Sequence, residues 1–188
     1  MTSLEIIAVP IAIFGVILTI KRRMACWLIN MIACLLYSYI FYQSRLFAET
    51  ILQFFFIAMN IYGFYHWRRG QQLDHEIRIE AAGILKMLGQ LCCAISLGLL
   101  FGWSLHYFSH AALPYLDAML AALSLLATYW SSRKYIATWY MWIILNTCYV
   151  GMFIFSGLWL TAMLYAIFIG LAFVGWQQWH EAWRKQCY

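Results

Sequence analysis

The stretch NIYGFYHWRRG, Asn60–Gly70, closes a long apolar run with an amide, a glycine, four aromatic rings and two adjacent arginines. No Asp, Glu, Lys or Arg interrupts the chain from Ile51 to Trp67, and the arginine pair then ends the run abruptly. A run of that length is near the roughly 20 residues that carry a helix across a bilayer. The arginines mark a membrane surface. The asparagine is a polar group inside the span, and it needs a reason to be there.

The rest of the chain has the same character. Its 188 residues are 65% hydrophobic and 10% charged, where a soluble domain carries about 25% charged residues. That leaves too little polar material for a water-facing surface, and the chain reads as a polytopic α-helical membrane protein. Hydropathy and breakers predict helices near 4–20, 24–42, 48–67, 83–108, 114–131, 135–155 and 158–180. The segments lack the alternation of a membrane β-barrel. The first run has no basic region before it and reads as a retained helix rather than a cleaved signal.

The net charge of +5 follows the connectors and does not call for nucleic acid. With seven spans, one side receives Lys21, Arg22, Arg23, Arg68, Arg69, Arg78, Arg133, Lys134, Arg184 and Lys185, and the other receives Arg45 alone. Lys86 begins the fourth span near the rich side. The positive-inside rule then puts the N-terminus outside and the C-terminus in the cytoplasm. The longest loop, RRGQQLDHEIRIEAAG, reads as a solvated cytoplasmic connector with some surface helix.

Residues 21–67 align with 133–179 at an offset of 112 without a gap. Ala25, Trp27, Ile32, Tyr37 and Phe41 meet Ala137, Trp139, Ile144, Tyr149 and Phe153. Ser44, Leu46, Leu52, Phe56, Ile57, Gly63 and Trp67 meet Ser156, Leu158, Leu164, Phe168, Ile169, Gly175 and Trp179. Coincident Trp, Gly and Trp, with the connectors in register, indicate duplication. Each unit holds three helices, so an odd fourth helix must restore the sidedness. The expected plan is 3+1+3: residues 1–67, a loop and linker helix over 68–108, and a second unit over 109–188. Transporters are commonly built from such repeats, with substrate held between them.

Polar side chains within spans are costly unless partnered, which makes each a candidate site. Gln53, Asn60 and Trp67 are spaced by seven and share one face of the third helix. Trp139 and Asn146 share a face of the sixth, with Trp142 a turn away; Tyr165, Phe168 and Trp179 align on the seventh, near Trp176. Asp117, Ser124 and Thr128 form a stripe on the fifth. Several have ordinary readings as well. Asn30, Ser124 and Thr128 serve equally as packing glue between helices, Trp67 and Trp179 as an aromatic belt, and Asp117 as a charge at a helix N-terminus. Gln53, Asn60 and Asn146 lie deeper and point to a substrate path. Five of the six cysteines lie inside apolar runs and read as small hydrophobes. His106 and His110 have metal-pair spacing but no third ligand. No cofactor or metal is called for, and there is no phosphate loop or hydrolase motif. Amides and hydroxyls suit a ribose or carboxamide, and indole and phenol faces suit a flat cation.

The stretches ILQFFFIAMNIYGFYHW, SSRKYIATWYMWIILN and YAIFIGLAFVGWQQW resemble the signature regions of the PnuC family of vitamin transporters, in the right order and over nearly the whole chain from about residue 21. The resemblance implies an inner-membrane facilitator with a SWEET-like 3+1+3 plan that carries nicotinamide riboside, made one-way by a cytoplasmic kinase that phosphorylates the vitamin. It puts Gln53, Asn60, Trp139, Trp142, Asn146, Tyr165 and Trp176 in the substrate cavity and gives Asp117 a structural or gating part. Gly63, Gly175 and Pro10 become hinge or close-packing positions, with Trp67 and Trp179 at the cytoplasmic boundary. Related members carry thiamine or riboflavin, and thiamine is also a flat cation. Members assemble as trimers, so a homotrimer is the expected assembly. The rival classes are a membrane enzyme, which would cluster titratable groups at an interface, and a scaffold, which has no use for aligned buried amides.

Overall fold

The computed structural model describes residues 3–43, 47–74, 79–80, 83–108, 114–155 and 159–186. Among them are seven helices: α1 Ser3–Ile20, α2 Ala25–Gln43, α3 Phe47–Asp74, α4 Ile84–Phe108, α5 Pro114–Ser132, α6 Ala137–Phe155 and α7 Trp159–Gln186. All seven expected segments are there. Helices α3 and α7 outrun their apolar stretches, because hydropathy registers where lipid ends and a helix can continue into water. The pairs Ser44–Ser156 and Leu46–Leu158, and Arg45, Arg78, His110 and Cys187, lie outside the described residues.

Ile84–Ser104, Ala137–Phe155 and Ala162–Gln186 are long and apolar enough to cross a membrane by length and composition, and Ile6–Ile20 and Ala25–Ile40 are shorter apolar stretches. Helix α5 is more polar because it carries Ser124, Thr128, Ser131 and Ser132, all buried. Large apolar side chains point outward instead, among them Phe54, Phe55, Leu99, Leu100 and Trp103. An apolar exterior over a partly polar interior is the arrangement that hydrocarbon solvent selects.

Two turns are built alike. Helix α1 is followed by Arg22 in the left-handed region at φ 54°, and α5 by Lys134 at φ 61°, 112 residues later. Arg22 N donates to Thr19 O (3.0 Å) and Arg23 N to Leu18 O (2.9 Å); Lys134 N donates to Ser131 O (3.0 Å) and Tyr135 N to Trp130 O (2.9 Å). This is the Schellman closure of a helix C-terminus, with a cation where glycine is usual. The left-handed conformation costs a non-glycine residue about 1–2 kcal/mol, offset in part by terminal carbonyls that favour positive charge.

Contacts between helices follow the same offset. α1 packs on α2, α2 on α3, α5 on α6 and α6 on α7; α3 meets α5 and α7 meets α1, while α4 lies against α5. Gly98 of α4 faces Met119 and Ala122, and Gly102 faces Tyr115, so the missing side chains let α4 approach closely. Trp130 Nε1 donates to Gln90 Oε1 across the same contact (2.7 Å).

The linker departs from the solvated connector the sequence suggests. Ile79 is buried, and its N–H donates to Gln186 Oε1 (3.1 Å). Glu80 N donates to Lys134 O (3.0 Å), and Glu80 O accepts from Ile136 N (3.4 Å). An apolar residue within the charged loop docks under the tryptophan core and carries its backbone onto the α5–α6 turn.

Gly63 lies against the ring of Trp27, and Gly175 against the ring of Trp139, with no room for a Cβ at either. Gly63→Ala and Gly175→Ala are each expected to destabilise the protein by about 1–3 kcal/mol, the usual cost of overpacking. Gly151 and Gly170 have open space around them, and Gly170→Ala, inside α7, should leave stability unchanged or raise it by up to about 1 kcal/mol. Thermal unfolding midpoints in detergent compare them.

Candidate functional site

The site is built on α3, α5, α6 and α7. On α6, Trp139, Trp142, Asn146 and Tyr149 follow spacings of three, four and three, and so share one face. Trp139 and Asn146 are buried at 3% and 4% exposure. Trp142 is half-buried and packs against both core clusters, one around the tryptophans and the other around α4 to α6. On α7, Trp176 packs against the tryptophan cluster and lies 5.7 Å from the ring of Tyr140. Tyr165 belongs to a second ring group, 4.9 Å from Tyr149, 5.1 Å from Phe153 and 5.8 Å from Phe168. Tyr149 reaches Ser124 of α5 at 3.5 Å between hydroxyls.

On α3, Asn60 is buried at 4% exposure. Its Nδ2 donates to Phe56 O (2.8 Å) and lies 3.9 Å from Cys34 Sγ on α2. Cys34 stands 112 residues before Asn146, so at corresponding places the buried asparagine is on α3 in the first helix pair and on α6 in the second. Gln53 is half-buried one face-repeat earlier. Among the described residues α2 and α3 make no close backbone approach to α6 or α7. The structure therefore collects Trp139, Trp142 and Trp176, with Asn146 and Tyr165 on the same two helices, and leaves Gln53 and Asn60 on a separate helix that approaches neither backbone.

Four tryptophans join the two sets of helices through their side chains. Trp27 and Trp67 meet edge to face at 5.3 Å and 89°, Trp139 and Trp179 at 5.3 Å and 87°, and Trp67 and Trp179 at 6.2 Å. Trp67 Nε1 donates to Ser131 O (3.2 Å) and Ser132 O (3.0 Å), and Trp179 Nε1 donates to Ile20 O (3.2 Å). Ile20 and Ser132 are themselves 112 apart, so the two bonds are reciprocal. Both indoles are fully buried, where a belt tryptophan would face lipid.

Trp27, Trp139 and Trp176 each bury an indole N–H that has no partner. An unpaired buried donor costs about 1–3 kcal/mol, so these three are standing invitations to an acceptor. Trp27 joins the candidate residues on this observation, and the 112-residue offset that pairs it with Trp139 is the sequence signal for it. Asp117 is half-buried in the first turn of α5, where the helix terminus favours an acid. Pro10 lies inside α1, exposed. His106 is exposed beside Tyr115.

An apolar exterior, helices that span a bilayer, and a buried set of amides and unpaired indoles define a multi-pass membrane protein of the transporter class. Residues 2–181 match the family described as nicotinamide mononucleotide transporter, and the chain belongs to that family. It is 27% identical over 190 residues to the nicotinamide riboside transporter PnuC of Escherichia coli strain K12, covering 88% of this chain and 80% of that one. It is 24% identical over 147 residues to the protein of the same name from Neisseria mucosa, covering 74% of this chain and 55% of that one. A crystal structure of the vitamin B3 transporter PnuC shares the fold, with a TM-score of 0.79 at 20% identity over 97% of this chain and 82% of that chain.

Proposed function

We propose that the chain is a facilitator that imports nicotinamide riboside across the inner membrane. Residues 1–67 and 109–188 form two parallel three-helix units joined by the loop and linker helix of 68–108, with the N-terminus outside and the C-terminus in the cytoplasm. Substrate enters near Asp117 and Gln53 and stacks on Trp or Tyr rings between the units. Asn60 and Asn146 bond its polar groups, with Trp139, Trp142, Tyr165 and Trp176 around it. Rocking of the units exposes it to the arginine-rich face. A cytoplasmic kinase then traps it, and the working assembly is a homotrimer. No catalytic step belongs to this chain.

The observation that carries this reading is the set of buried, unpaired indole N–H groups of Trp139 and Trp176 on the helices that hold Asn146 and Tyr165. Donors of this kind suit the carboxamide and ribose oxygens of the solute that the relatives are named for. Thiamine is the second reading, since its cationic ring would satisfy the same aromatic faces, and riboflavin the third.

Purified protein in vesicles without any kinase is the test. Labelled nicotinamide riboside should equilibrate and stop at equal concentrations, and unlabelled nicotinamide riboside should compete better than thiamine or riboflavin. Accumulation against a gradient would overturn the facilitator mechanism, and stronger competition by thiamine would reassign the substrate.

A further inference from the structure

The α1–α2 and α5–α6 turns share a backbone but differ in what surrounds them. At the second, the linker lays Glu80 against the turn through bonds to Lys134 O and Ile136 N. Glu80, Arg133 and Lys134 are all electrostatic neighbours of His66, so the cations there have an acid among them. At the first, a cavity of about 310 Å3 opens instead, lined by Ile20, Lys21, Arg22, Arg23 and Gln178. Gln178 stands 112 residues after His66, and Lys21 and Arg22 stand 112 before Arg133 and Lys134. The two places correspond position by position. One has Glu80 beside it; among the described residues the lining of the other has three cations, a primary amide and no acid.

We propose that this cavity is a binding site for the dianionic phosphate of a phosphate ester. Three cations within three consecutive residues are more than one carboxylate can neutralise, whereas a phosphate ester carries close to two charges and three acceptor oxygens. The guanidinium groups of Arg22 and Arg23 can each offer two parallel donors to such an anion, and Gln178 adds neutral ones. The volume is at the small end of ligand cavities, about 300–1,000 Å3, and it leaves room for part of the esterified group. The floor of the site is Ile20, whose carbonyl accepts the Trp179 indole. A ligand there bears on the contact that ties α7 to α1, so binding stabilises the folded protein. Two sources share this chemistry, a soluble nucleoside monophosphate and the headgroup of phosphatidic acid.

The whole chain in neutral detergent, titrated with adenosine monophosphate, inorganic phosphate and adenosine, tests the soluble source through the unfolding midpoint. Phosphatidylcholine vesicles with and without phosphatidic acid test the lipid source. Adenosine monophosphate with inorganic phosphate, or phosphatidic acid, should raise the midpoint, and the arm that responds names the source. Adenosine alone should not. The double variant Lys21→Gln/Arg23→Gln should weaken that response about tenfold or more, as the loss of charge-assisted bonds implies. Arg68→Gln/Arg69→Gln, which removes exposed cations at the same end, should respond as the wild type does. No response in either arm overturns the proposal, as does an equal response from Lys21→Gln/Arg23→Gln or an equal loss in Arg68→Gln/Arg69→Gln. An acidic peptide that displaces the phosphate ester at equal charge would reassign the site to a protein partner. Binding is read here without transport, so failure of the carrier reading would leave these outcomes distinct.

Discussion

Asn146→Leu should abolish most nicotinamide riboside flux while leaving the protein folded. The side chain is 4% exposed on the face of α6 that also carries Trp139, Trp142 and Tyr149. Leucine is close to asparagine in size but offers neither donor nor acceptor. A substrate oxygen or amide that loses its partner in a site closed to water costs about 1–3 kcal/mol, or roughly fivefold to 150-fold in affinity. Removing a buried amide does not threaten the fold in the same way, because an apolar group of similar shape at a buried position can be neutral or stabilising. Asn60→Leu should change flux in the same direction by less, since its Nδ2 already has Phe56 O as a partner. Flux into vesicles and the unfolding midpoint, measured on the same preparations, separate the two effects. A scaffold would keep its midpoint and have no flux to lose. If Asn146→Leu transports at the wild-type rate, the amide is packing glue and the cavity lies elsewhere.

The contrast between these two asparagines shows what the sequence could carry and what it could not. Spacing by seven places Gln53, Asn60 and Trp67 on one face of a helix, but it does not say what that face meets. Asn60 meets its own backbone and Cys34 of the neighbouring helix, a contact set by how α2 crosses α3. The seven helices were legible because each is an apolar run with polar or basic punctuation, and lipid imposes that pattern directly. Helix ends were less so, since α3 continues to Asp74 and α7 to Gln186, where hydropathy has nothing to detect. The docking of Ile79 depends on a single apolar residue in a charged loop. The left-handed Arg22 and Lys134 carry no glycine to announce them. The 112-residue offset was legible as matched letters. That it also relates hydrogen bonds, turns and the two contacts α1 with α7 and α3 with α5 needed coordinates.

Trp67→Ala and Trp179→Ala should each destabilise the protein by about 3–5 kcal/mol, the range for emptying a large buried aromatic site. A tryptophan at the end of an apolar run fits a membrane-interface belt as well as a core, and composition does not choose between them. A belt residue leaves one edge in lipid and tolerates truncation. Trp67 and Trp179 are fully buried, each meets a second tryptophan edge to face, and each donates its N–H to the C-terminal carbonyls of a helix across the contact. Ser131 O also accepts from Lys134 N, but Ser132 O and Ile20 O lie past the last in-helix donors, so the indoles satisfy acceptors that hydrocarbon could not. Trp67→Phe keeps most of the ring and removes the bond, and should cost about 1 kcal/mol, typical of polar contacts within membranes. The rings of Trp67 and Trp179 lie 6.2 Å apart, so the double alanine variant should lose an amount that differs from the sum of the singles. Midpoints of thermal unfolding in detergent measure all four variants. If Trp67→Ala moves the midpoint no further than Gly170→Ala does, the tryptophan quartet is not what joins α1 to α7 and α3 to α5.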